Sequence, residues 1–160
     1  MSTFNGLPAH ILLNHFVVVL APLTAVLAIL CALWPAARRR LIWLVVLLAV
    51  ATVALTPVTA GAGAWLAARV NVAPAMAPVL AAHEQLGSML IYIVAALLAT
   101  VALLAAVHVR QTRGTSVSLV AQSVIGVLVI VAAAATLIQT YRIGDSGARA
   151  AWGDVSSSAP

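Results

Sequence analysis

The chain has 160 residues, of which 64% are hydrophobic and 7% charged, with a formal net charge of +5. A soluble domain carries roughly 25% charged residues, and so few charges could not cover a water-facing surface; a soluble fold is excluded and an integral membrane protein implied. All eight basic residues are Arg, and they fall at the ends of apolar runs without aromatics interleaved, which argues against nucleic acid as a partner.

In chain order, the first apolar run starts near Pro8, a residue tolerated in the first turn of a helix, and spans about 8–34. No positive charge precedes it and Arg38, Arg39 and Arg40 follow it, so it does not read as a cleavable signal peptide. The second run, 41–68, ends in TPVTAGAGAW. The loop NVAPAMAPV, with Pro74 and Pro78, leads into a third run at 80–109, and QTRGTS separates it from a fourth at 115–141. Each exceeds the ~20 helical residues that cross a bilayer. Pro22 and Pro57 are expected to kink their helices. The tail 142–160, mostly the small, polar stretch GDSGARAAWGDVSSSAP from Gly144, reads as a loop with a frayed end. Cys31 is the single cysteine, so no intramolecular disulfide can form.

Continuous apolar runs lack the alternation of a membrane barrel, and no internal repeat is evident. The expected fold is therefore all-α: an integral membrane four-helix bundle, antiparallel up-down, in one domain over 1–160. Arg38, Arg39, Arg40, Arg110 and Arg113 mark one side without an acid; Arg69, Arg142 and Arg149 share the other with Glu84, Asp145 and Asp154. The positive-inside rule then puts both termini outside, with Trp34 and Trp43 at the inner interface and Trp65 at the outer one.

That topology gathers His10, His15, His83, Glu84 and Asp145 at the outer end. His108 lies about 37 Å along an ideal helix from His83, at a helix C-terminus that welcomes an imidazole. His10 and Asn14 share a helix face, whereas His15 is about 140° round and ~7.5 Å deeper than His10. At that depth His15 is expected to face the bundle interior. Gly87, one turn from His83, lets a backbone or a flat ligand approach closely.

Three readings of this cluster stay open. His15 and His83 could ligate a haem iron, with Gly87 making room. His10, His15, His83 and Glu84 could bind a divalent ion such as zinc or copper. Alternatively, the histidines only hydrogen-bond across helices and hold the bundle together. Asn14, Gln122 and Gln139 are expected to bond between helices, and Gln139 could join the outer site. Gly-Asp-Ser-Gly at 144–147 reads as a turn, with no partner placed by sequence to activate Ser146.

The run GLPAHILLNHF, the glycine-containing second helix, His83 followed by Gly87, and the closing YRIGDSGARAAW resemble the domain of unknown function 2231 family, small four-helix membrane proteins common in actinobacteria. The resemblance covers Gly6 to Trp152, and its most specific part is the H-x4-H-F element from His10 to Phe16. Family members often carry Pro after that Phe; here Val17 follows. The resemblance implies a fold more than an activity. Some members are fused to a Rieske-type iron–sulfur domain, which implies a redox neighbourhood and favours haem; with one Cys here, an electron partner would be a separate protein. The expectation is a multi-pass protein of the bacterial plasma membrane, redox-linked through haem b or a metal and partnered by the lipid bilayer and a respiratory or redox membrane protein. The alternative is a non-catalytic structural or assembly subunit. A permease would need more helices or an oligomer.

Overall fold

The computed structural model describes residues 3–4, 7–70 and 74–157. Gly6 of the first motif, 71–73 of the second loop, 158–160 of the tail and the side chains of Trp152 and Asp154 lie outside the described residues. Two short strands, β1 Thr3–Phe4 and β2 Leu7–Pro8, pair antiparallel. Four helices follow: α1 Ala9–Leu33, α2 Pro35–Ala67, α3 Ala77–Thr112 and α4 Leu119–Ser157, with a 3-10 turn at Pro74–Met76 leading into α3. All four are long and apolar enough to cross a membrane. α1 and α3 each pack on both α2 and α4, and face one another across the diagonal. The protein is an all-α membrane bundle whose helices run alternately up and down.

Several boundaries differ from the sequence expectation, for one physical reason: a charge marks where a chain leaves the bilayer, not where its helix ends. Only Trp34 separates α1 from α2. The following Pro35 holds Trp34 extended (φ −124°, ψ 105°) and then serves as the first residue of α2. Arg38, Arg39 and Arg40 therefore lie inside α2, which starts at Pro35 rather than at 41. α3 ends at Thr112 with Arg113 as its cap, and the chain then turns at Gly114, whose φ of +77° suits glycine. There Thr115 N–H bonds the Arg110 carbonyl (3.0 Å) and Gly114 N–H that of Gln111 (3.1 Å), a Schellman cap. The segment after Tyr141, expected as a loop, is helical: α4 continues to Ser157.

Most buried residues trace one seam per helix, in steps of four and three. These are Val17, Ala21, Thr24, Ala28 and Cys31 on α1; Ile42, Val45, Ala49, Thr52, Thr56 and Thr59 on α2; Leu90, Val94, Leu97, Val101 and Leu104 on α3; and Val129, Ala133, Thr136, Thr140 and Ile143 on α4. This heptad-like spacing is that of left-handed bundles. Position for position, the α1–α2 seams have the spacing of the α3–α4 seams, with Thr52 and Thr56 answering to Thr136 and Thr140. The two helical hairpins are thus built alike, a repeat hidden in the sequence because the equivalent residues share spacing more than identity. Thr52, Thr56, Thr136 and Thr140 each donate their hydroxyl to the carbonyl four residues back (2.7–2.9 Å), which satisfies them within their own helix.

Candidate functional site

Followed outward, the four seams arrive at the polar cluster. The next positions are Asn14 and His10 on α1, Gly63 on α2, Gly87 and His83 on α3, and Gly147 on α4. One layer of the bundle therefore holds histidines on the diagonal pair α1 and α3 and glycines on the pair α2 and α4. The imidazoles of His10 and His83 meet across the diagonal, with ring centroids 6.5 Å apart and planes at 87°. Each ring occupies a notch left by a glycine. A Cβ on Gly63 would stand 2.9 Å from His10 Cε1, and one on Gly147 would stand 3.0 Å from His83 Cε1.

The hydrogen bonds follow the same plan. His10 Nδ1 lies 2.9 Å from the Thr59 carbonyl oxygen; a carbonyl only accepts, so Nδ1 carries the hydrogen and donates. His83 Nδ1 lies 3.0 Å from Ser146 Oγ, and the Ser146 hydroxyl itself donates to the Ile143 carbonyl (3.0 Å), so His83 Nδ1–H is the donor to Ser146. These tautomers are assigned from the network of partners. In the neutral rings both Nε2 atoms then keep their lone pairs, the arrangement that metal-ligating histidines adopt when an outer partner fixes Nδ1. The bond to Ser146 is not that of a hydrolytic triad. There the serine sits on Nε2 and an acid on Nδ1; here Ser146 takes Nδ1, and Asp145 pairs with Arg149 at 3.1 Å.

Beside the pair, a cleft of about 630 Å³ opens between α2 and α3, within the ~300–1,000 Å³ of small-molecule sites. His10 and His83 line it together with Ala60, Gly61, Ala64 and Gly87. A Cβ on Gly61 or Gly87 would meet nothing within 4 Å, so these glycines leave the cleft wide. Below the rings a second cavity of about 40 Å³, lined in part by Asn14, Thr56 and Thr140, has room for about one water.

The helix-1 ring that faces His83 is His10. α1 is already regular at Ala9, so His10 falls on the buried seam with Asn14 and Val17, and His15, five residues on, turns to the exposed face. Among the described residues no three His, Cys, Asp or Glu side chains could hold one ion; the set His10, His15, His83 and Glu84 is not assembled, although Glu84 lines the cleft. Gln139 bonds the Leu86 carbonyl from α4 (2.8 Å), just beneath His83. Thr59 was not singled out by sequence reasoning, and Ser146 and Gly147 were read there as part of a turn without a partner, whereas they lie in α4 against His83. The signal for Ser146 and Gly147 was the seam itself, which continues past Tyr141 through Ile143 to Gly147.

These features define a class: a four-helix membrane protein with a histidine pair set across one end of the bundle. The chain belongs to the DUF2231 family of predicted membrane proteins, whose model matches residues 6–159. No curated protein and no solved structure matches it.

Proposed function

We propose that the protein is a redox-linked component of the bacterial plasma membrane, both termini outside, that holds haem b between His10 and His83. The observation supporting this reading is the pair of imidazoles on diagonal helices, each with Nδ1 committed and Nε2 free. Two protein ligands fall short of the three or four of a zinc site. They suit a group that brings its own four nitrogens, as a porphyrin does. Thr59 and Ser146 orient the two rings, Gly63 and Gly147 seat them, and the small side chains of the cleft leave space for a flat macrocycle. When bound, haem iron supplies one-electron chemistry; electrons would come from a separate redox protein in the same membrane.

A second reading, a structural or assembly subunit, is favoured by the same hydrogen bonds, since they tie α1 to α2 and α3 to α4 without any ligand. A visible spectrum, iron analysis and haemin titration of gently solubilised protein decide between the two. The first reading expects a Soret band and one iron per chain, lost in His10→Ala and His83→Ala and kept in His15→Ala. Folded, colourless protein that takes up no haemin leaves the second.

A further inference from the structure

At the opposite end of the bundle, Pro35, Arg38, Arg39, His108, Gln111 and Thr112 line a cavity of about 240 Å³, the volume of about eight waters at ~30 Å³ each. Arg38 is only 7% exposed. Among the described residues its guanidinium makes no hydrogen bond and no ion pair, the single salt bridge there being Arg149–Asp145; only its backbone N–H is bonded, to the Trp34 carbonyl (3.0 Å). Its side-chain nitrogens are not sealed in protein, since among the described residues no buried side-chain polar atom lacks a partner; Arg38 lines the cavity. The equivalent position of the second hairpin is Gln122, which accepts from Gln111 Nε2 (2.8 Å) and donates to the Val117 carbonyl (2.9 Å). The α3–α4 hairpin thus satisfies its own polar group, and the α1–α2 hairpin leaves a buried cation without an anion. The cavity lies where the N-terminus of α2 meets the C-terminal turn of α3, so the two helix dipoles oppose one another and the positive field comes from the guanidinium groups of Arg38 and Arg39. All three acids of the chain, Glu84, Asp145 and Asp154, belong to the other end.

We propose that this cavity binds a phosphate oxyanion, held by Arg38 and Arg39, and carried either by an anionic phospholipid headgroup or by free phosphate. Guanidinium groups match phosphate in a two-bond fork, and basic pockets between helices at a membrane surface recognise anionic headgroups. The test measures binding of phosphatidylglycerol and phosphatidylcholine to the full chain in detergent by native mass spectrometry, with inorganic phosphate as competitor. Phosphatidylglycerol is expected to be retained and phosphatidylcholine lost. Arg38→Gln should weaken retention roughly tenfold or more, while Arg40→Gln, which does not line the cavity, should leave it unchanged. Displacement by millimolar phosphate assigns the site to the free anion; resistance to it assigns the site to the lipid. If Arg38→Gln does not fold, Arg39→Gln and Arg38→Lys, which loses the fork and keeps the charge, serve in its place and should bind more weakly. Equal retention of the two lipids, or variants that bind as well as the wild type, would overturn the proposal.

Discussion

A methyl group at Gly63 would press on His10 at 2.9 Å, whereas one at Gly61, two residues earlier, would meet nothing. Gly63→Ala must therefore push the imidazole off its seat. A cost of about 1–3 kcal/mol follows, the usual range for an overpacked site, and Gly61→Ala should stay within about 0.5 kcal/mol. Unfolding by denaturing detergent, run on both variants, measures the contrast. Ser146→Ala removes the oxygen that accepts from His83 Nδ1. It should cost about 0.5–1.5 kcal/mol and loosen the ring; the nitrogen-15 shifts of His83 would then move toward a mixture of tautomers while those of His10 stay fixed.

α4 has 39 residues, about 58 Å of helix against a hydrocarbon core of about 30 Å. Much of that excess lies beyond Tyr141 and carries Ile143, Ser146 and Gly147, the residues on which His83 rests. A chain ending at Tyr141 should keep the inner cluster around Ile42, Val45, Leu104 and Val129 but lose the outer one, where Val17, Leu90 and Val94 pack with Ile143. Hydrogen exchange should rise in α3 from Ala77 to Leu90 and remain slow from Val101 to Val107. Uniform protection along α3 would show that the extension of α4 does not hold the site.

For the molecule as a whole, the alternation of helices puts the start of α1 and the end of α4 on one side, which the arginine bias predicts to be the outer one. Asp145→Cys should react with a membrane-impermeant thiol reagent added to intact cells, and Arg113→Cys only after lysis; Cys31 is buried and should stay silent. The reverse pattern would invert the orientation. His83 is about 40 Å along the helix from Arg110, more than the ~30 Å thickness of the hydrocarbon core. The histidine layer is therefore expected at a membrane interface and not among acyl chains.

The sequence by itself determined the class of fold. Apolar runs of this length admit only helices in a bilayer, because every backbone amide must be satisfied within its own segment. It also gathered the polar residues at one end of the bundle, since the arginine and acid distribution groups His10, His83 and Glu84 without reference to packing. Only the tertiary structure decided which residues share a layer. The phase of α1 turns His10 inward and His15 outward, a difference of about 140° that depends on where the helix begins. The length of α4 depended on packing too: small polar residues after Tyr141 have weak local preferences, and it is their seating against His83 that places Ile143, Ser146 and Gly147 in the site. The likeness of the two hairpins was hidden for the same reason, because it lies in the spacing of buried positions, which the sequence does not show until the helices are set against one another.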